Sequence, residues 1–259
     1  MTWAERIQTT WSGYLDRRKL HGVADQPDLF RPPEAAEDSP PDAPQAPRTR
    51  RRSPAPPAED PSPPAELGTE TPLAARLRPR RLEDVVGQDE VVSVLGKLVA
   101  AGHLPSMVLW GPPGSGKTTL ARILARSVSA HFDNLSAVTA GVADLRRVVA
   151  EARARRQLGR PTVLFIDEIH RFNKAQQDAV LPYVEDGTVT LIGATTENPS
   201  FEVISALLSR SRVFKLGPLP ASDLRAIVER GLGAVEATIQ DDAMERLLAA
   251  AQGDARRAL

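Results

Sequence analysis

The 259 residues include no cysteine, which removes disulfides, thiolate zinc sites and cysteine nucleophiles together. Net charge is also missing. The 33 Lys and Arg are balanced by 33 Asp and Glu, so any nucleic-acid contact must come from a local patch. No apolar run approaches the roughly 18 residues of a membrane span, and the N-terminus lacks the apolar core of a signal peptide. A soluble, cytoplasmic chain is expected. From residue 31 to residue 70 the chain lacks any pattern that could form a ladder or a core: twelve of its 23 prolines fall there, among Ala, Ser, Asp and Glu. A semi-extended, disordered linker is expected. The remaining length allows one or two folded units, and 41% hydrophobic residues suffice for their core.

What the sequence does contain is organised around Leu109-Trp110-Gly111-Pro112-Pro113-Gly114-Ser115-Gly116-Lys117-Thr118-Thr119-Leu120. Residues 107–110 read as a short buried strand, 111–116 as a tight loop, and Lys117 onward as a helix with Leu120, Ile123 and Leu124 on its apolar side. G-x-x-x-x-G-K-[ST] in that order is a phosphate cradle. Glycines let the backbone N–H groups converge on phosphate oxygens, and the helix N-terminus adds about half a positive charge. The predicted nucleotide contacts are Gly111, Pro112, Pro113, Gly114, Ser115, Gly116, Lys117, Thr118 and Thr119. Lys117 would reach the β/γ-phosphates of ATP, and Thr118 would ligate Mg²⁺.

Beyond this loop, strand and helix patterns alternate. Strands are expected at 131–136, 162–167, 188–194 and 212–216, with helices at 89–101, after 117, and at 142–157, 175–185 and 201–208. Such alternation predicts an α/β fold, a parallel five-stranded sheet with helices on both faces. Residues 221–259 carry helical periodicity only (Leu224, Ile227, Val228, then Met244, Leu247, Leu248) and read as a small helical lid.

Chemistry-bearing residues lie at the strand ends. Val163 to Ile166 is continuously apolar and leads into Asp167 and Glu168 at the carboxyl end, where open α/β sheets bind ligands. Asp167 would hold Mg²⁺ and Glu168 would serve as general base toward water. The next strand ends in Thr195 and Thr196. Thr195, first at the strand end, is the better candidate to orient that water, with Thr196 left open. Arg210 and Arg212 lie between a helix and the last strand, at an end that would face away from the chain's own nucleotide, so an arginine there would serve a neighbour's γ-phosphate. Gly253-Asp254-Ala255-Arg256-Arg257-Ala258-Leu259 begins a lid helix with an arginine in its first turn, which would close onto the nucleotide in cis.

Together with Ser-Arg-Ser at 209–211 and Gly-Asp-Ala-Arg at 253–256, these motifs resemble AAA+ ATPases of the clamp-loader branch. Arg78-Pro79 and Asp84-Val85-Val86-Gly87-Gln88 resemble that branch's adenine-pocket box, which implies Arg78, Pro79 and Val86 as adenine contacts. More narrowly, residues 72–79, 135–141, 167–178 and 193–201 resemble the RarA (MgsA) family of replication-associated recombination proteins, whose eukaryotic relatives interact with Werner helicase. The resemblance covers about residues 72–259. It implies a DNA-stimulated, Mg²⁺-dependent ATPase at stalled forks, gaps and duplex ends in the nucleoid, acting with single-strand-binding protein and the sliding clamp. Arg210 would be its trans-acting finger and Arg256 its second sensor. The segment His170-Arg171-Phe172-Asn173-Lys174 would lie near the channel of a ring, either contacting DNA or packing as a loop.

The expected organisation is an amphipathic helix at 1–22, the linker at 23–70, an AAA+ nucleotide-binding domain at 71–219 and an incomplete helical lid at 220–259. Trp3, Ile7, Trp11, Tyr14 and Leu15 form the stripe of the first helix, which would dock on the folded part or on a partner. Gln26-Pro27-Asp28-Leu29-Phe30 resembles the pentapeptide with which bacterial replication proteins plug into the sliding clamp. Arg48, Arg50, Arg51 and Arg52 form a basic knot, either solvated or in loose contact with DNA phosphates. Relatives continue past the second sensor into helical domains that build a tetramer, so a truncated chain with impaired homo-oligomerisation is expected. The alternatives to an ATPase machine are an ATP-binding adaptor tethered to the clamp with little turnover, a clamp-loader-like subunit, or a branch-migration motor.

Overall fold

A computed structural model describes residues 71–259. The expected N-terminal helix, the clamp pentapeptide, the proline-rich linker and the arginine knot lie outside the described residues. Five strands, β1 (Met107–Trp110), β2 (His131–Ser136), β3 (Thr162–Asp167), β4 (Thr190–Thr195) and β5 (Arg212–Lys215), form one sheet in the order β2-β3-β4-β1-β5. All pairings are parallel. The short α1 (Leu73–Arg76) and α2 (Asp89–Ala100) precede β1. The crossovers are α3 (Lys117–Ser127), α4 (Val142–Gln157), α5 (Lys174–Glu185), and the pair α6 (Pro199–Glu202) and α7 (Ser205–Leu208). After β5 come α8 (Ala221–Ala234), α9 (Asp241–Ala251) and α10 (Ala255–Ala258).

The continuous apolar run of β3 follows from burial on both faces. Val163 and Phe165 join a core with Leu95 of α2 and with Leu120 and Leu124 of α3. Leu164 and Ile166 point the other way, into a core with Leu145 and Val148 of α4, Val180 of α5 and Leu207 of α7. The period-two side-chain alternation of a strand thus separates two helical layers on one sheet. Leu224, Val228, Met244, Leu248 and Ala258 of the last three helices close a third cluster of their own.

One expected helix is broken. Residues 201–208 read as continuous, yet Val203 and Ile204 are extended (φ −103°, ψ 135° and φ −60°, ψ 142°) between α6 and α7. Gln177 of α5, only 2% exposed, explains the break. Its Nε2 donates to Phe172 O and Glu202 O at 3.0 Å, and its Oε1 accepts from Ile204 N at 2.9 Å. A buried amide that satisfies three backbone groups substitutes for helical bonds the chain forgoes. Strand β4 starts later than expected, because Thr188 N is taken by the Asp186 carboxylate at 2.7 Å in the preceding turn, and it runs on to Thr195, which pairs with Trp110.

Replacing Gln177 by Ala strands those backbone groups. We expect a loss of about 2 kcal/mol in unfolding free energy, read from urea denaturation. An unchanged midpoint would show that the bridge does not hold the α6–α7 corner.

Candidate functional site

The glycine loop leaves β1 at Trp110, which is paired with Thr195 of β4. Gly111 N donates to Thr195 O at 3.1 Å, fastening the start of the loop to the end of β4. A Cβ on Gly111 would lie 2.4 Å from the carbonyl oxygen of Leu216, so the position has room only for glycine. Lys117 is the first residue of α3 and is 7% exposed. Its Nζ donates to Gly111 O at 2.7 Å and Pro112 O at 2.9 Å, while Ser115 Oγ donates to Pro112 O at 2.8 Å. The loop carbonyls therefore stand where an anionic ligand's oxygens would otherwise receive the ammonium. Burial lowers the Lys117 pKa, Glu168 and Asp167 press it upward, and Arg256 adds to the lowering.

The two carboxylates emerge at the end of β3. Glu168 sits in the left-handed region (φ 54°, ψ 51°) and caps a 3-10 turn, Ile169–Arg171. That turn lays His170 back on Glu168, with Nδ1 3.2 Å from Glu168 Oε2. The two threonines differ in placement. Thr195 is fully buried; its Oγ1 accepts from Glu197 N at 3.0 Å, donates to Glu197 O at 3.3 Å and lies 3.0 Å from His170 Nδ1. Thr196 Oγ1 donates to Glu168 Oε2 at 3.4 Å. Position first at the strand end made Thr195 the better candidate on sequence, with Thr196 left open; in the structure it is the Thr196 hydroxyl that meets the Glu168 carboxylate. An inward strand residue is committed to the interior, and its neighbour faces the carboxylate.

A cavity of about 280 Å³ opens beside the loop. Of the expected nucleotide contacts, Arg78, Pro79, Val86, Gly114, Ser115, Gly116, Thr118, Thr119 and Arg256 line it. Gly111, Pro112, Pro113 and Lys117 shape the loop without lining the cavity. Burial, then Arg122, then Arg256 lower the pKa of Arg78. Among the described residues, none of Arg78, Arg122 and Arg256 forms an ion pair with a carboxylate. Arg78 and Arg256 line the cavity and Arg122, over the Phe132 ring, lies behind Arg78; cations crowded in this way are the arrangement an anionic ligand relieves. The lid contributes Leu219, Ile227 and Leu259 to the walls, residues that carried no motif and were not anticipated.

The profile of the ATPase family associated with various cellular activities (AAA) matches residues 107–219. The replication-associated recombination protein A of Escherichia coli (strain K12) is 49% identical over 201 residues, covering 74% of this chain and 45% of that protein. The protein of the same name from Coxiella burnetii is 52% identical over 198 residues, covering 73% and 44%. The chain belongs to the RarA family of AAA+ ATPases. It spans about half the length of the curated relatives it matches. Among solved structures, the Thermotoga maritima RuvB Holliday junction branch migration motor superposes with a TM-score of 0.60 at 32% identity, over 70% of this chain and 62% of that one. An AAA ATPase domain implies nucleotide binding.

Other expected residues lie elsewhere. Arg210 does not line the cavity; its Nε is 2.6 Å from Glu185 Oε1, and Nη1 donates to Ala206 O and Ser209 Oγ. Phe172 is 3% exposed and belongs to the core, whereas Arg171, Asn173 and Lys174 of the 170–174 segment are at the surface. Stacking of a base on Phe172 is thereby excluded. Among the described residues, Phe201, 84% exposed on α6, is the large aromatic that the surface presents.

Gly114 joins the loop to the lid. It has φ 69°, and a Cβ there would meet Asp254 Oδ1 at 1.9 Å. The Asp254 carboxylate in turn accepts from Arg256 N and Arg257 N at the start of α10. Gly114→Ala is expected to lower unfolding free energy by about 1–2 kcal/mol from the left-handed backbone alone and to weaken nucleotide binding in titration calorimetry. Adding Asp254→Ala should recover part of the binding loss; no recovery would mean the clash with the lid is not its cause.

Proposed function

We propose that the chain hydrolyses ATP with Mg²⁺ and that hydrolysis serves DNA maintenance at stalled or gapped replication forks. The observation that carries the catalytic reading is the setting of Lys117: a buried ammonium held by loop carbonyls, near Asp167 and Glu168, beside a cavity bordered by uncompensated guanidiniums. In this reading Lys117 exchanges the Gly111 and Pro112 carbonyls for phosphate oxygens. Backbone N–H groups of the loop and the N-terminus of α3 add fixed positive potential. Arg78, Pro79 and Val86 enclose the base and ribose, and Arg256 closes on the phosphates from the lid. Thr118 and Asp167 are the oxygen donors that would hold Mg²⁺, which when bound spreads the charge of the β- and γ-phosphates.

Glu168 takes the proton from the attacking water, and Thr196, hydrogen-bonded to the same carboxylate, orients that water. Arg210 reaches the γ-phosphate of a neighbouring copy, which requires release from Glu185. The DNA part of the proposal draws support from the relatives named for replication-associated recombination, from the RuvB likeness, and from Arg171 and Lys174 at the surface next to the carboxylates. Single-strand-binding protein and, through Gln26–Phe30, the sliding clamp are its proposed partners. A second reading, an ATP-binding adaptor with little turnover, is favoured by one observation, the hold of Glu185 on Arg210 within its own chain.

The rate of ATP hydrolysis against protein concentration, with and without gapped DNA, separates the two. A rate per chain that rises with concentration and with DNA supports the machine; a flat rate near background supports the adaptor. Lys117→Ala is expected to abolish nucleotide binding. Glu168→Gln is expected to keep binding while turnover falls by about 10²- to 10⁴-fold; normal turnover in that variant would remove Glu168 from the role of base. Mixing Arg210→Ala with Lys117→Ala chains should restore activity that neither shows alone, if the arginine acts in trans.

A further inference from the structure

We propose that His170 is the positioning residue of the hydrolytic base: its Nδ1–H, shared between Glu168 Oε2 and Thr195 Oγ1, fixes where the Glu168 carboxylate stands. This inference rests on the reading of Glu168 as the base. The ring is held from two sides. The left-handed turn at Glu168 folds the 3-10 turn back over β3's end, and Ile169 within it is fully buried. Ile169 seats on β4 at Gly193, where an added Cβ would approach Ile169 Cδ1 to 3.0 Å. His170 therefore spans the ends of two adjacent strands, with Nδ1 3.2 Å from the carboxylate of one and 3.0 Å from the hydroxyl of the other.

The hydrogen-bond inventory decides which nitrogen carries the proton. Thr195 Oγ1 donates to Glu197 O and accepts from Glu197 N, so its remaining lone pair is available to a donor. Glu168 Oε2 can only accept while ionised. With a proton on Nδ1, both neighbours are satisfied by one three-centre bond. With Nδ1 bare, its lone pair would face a carboxylate oxygen at 3.2 Å. The first arrangement is the bonded one, and it is charge-assisted. Thr196 Oγ1 donates to the same Oε2. Both donors thus engage one carboxylate oxygen, while Oε1 has no hydrogen-bond partner among the described residues and is the oxygen left for water. Thr195, buried and without access to the cavity, acts only through the ring.

Two measurements test this. The first is the imidazole nitrogen spectrum of the ¹⁵N-histidine-labelled chain, in which the signal lost in His170→Asn identifies His170 among the four histidines. A proton on Nδ1 supports the proposal, and a bare Nδ1 overturns it. The second is steady-state hydrolysis with gapped DNA. His170→Ala should lower kcat by about tenfold to a hundredfold, the range for losing a hydrogen bond to a charged group, with KM for ATP and the thermal midpoint unchanged. His170→Asn, whose amide nitrogen overlays Nδ1, should recover most of the rate, whereas His170→Gln, whose amide overlays Nε2, should not. In a Glu168→Gln background His170→Ala should have no further effect. Equal rescue by Asn and Gln, or a multiplicative loss in that background, overturns the positioning role while leaving Glu168 as base. Full turnover of Glu168→Gln alone would instead overturn the reading on which the inference rests.

Discussion

Parallel pairing of β3, β4 and β1 is the constraint on which the site depends. Parallel strands present the same end at the same edge, and the register aligns Ile166 with Gly193 and Trp110 with Thr195. The glycine loop, the two carboxylates and the two threonines therefore leave the sheet together. The bond from Gly111 N to Thr195 O carries that register past the last paired residues. A slip of one residue would turn every inward side chain outward. Cores on both faces, anchored by Val163 and Phe165 on one side and Leu164 and Ile166 on the other, make such a slip costly.

Electrostatics then distinguishes the site from an ordinary loop. Lys117 is buried, yet its nearest acceptors are neutral carbonyls of its own loop, with Asp167 and Glu168 acting as field rather than as ion-pair partners. Arg78, on the wall of the neighbouring cavity, is repelled by Arg122 and by Arg256. A folded protein retains such uncompensated charge where a ligand of opposite sign completes it. Elsewhere guanidiniums do find carboxylates: Arg155 lies between Asp133 and Glu151, and Arg156 faces Asp186.

The lid is tied to the loop by steric fit as much as by charge. Asp254 occupies the space that a side chain on Gly114 would need, and Leu219 N donates to Gly253 O at 3.1 Å. Gly253, at φ 83°, lies against Pro218. Any displacement of the phosphate loop must therefore be felt at the start of α10, where Arg256 stands. Coupling between the loop and the lid needs no long pathway, since Asp254 packs directly against Gly114.

The sequence by itself determined the phosphate loop, the strand that ends in Asp167 and Glu168, and the alternation that makes a parallel sheet. These are local signals. Spacing along one strand, loop or helix suffices to read them. The break between α6 and α7 was illegible because it depends on Gln177, more than twenty residues earlier, reaching backbone groups that only tertiary packing brings near. Burial of Phe172 within a basic segment and exposure of Phe201 were hidden for the same reason. The placements of Thr195 and Thr196 turned on which face of β4's end each occupies, a one-residue question that adjacency in sequence leaves open. His170 carried no motif of its own. Its place between Glu168 and Thr195 exists only because two strands distant in sequence end side by side, and that juxtaposition is what only the tertiary structure decided.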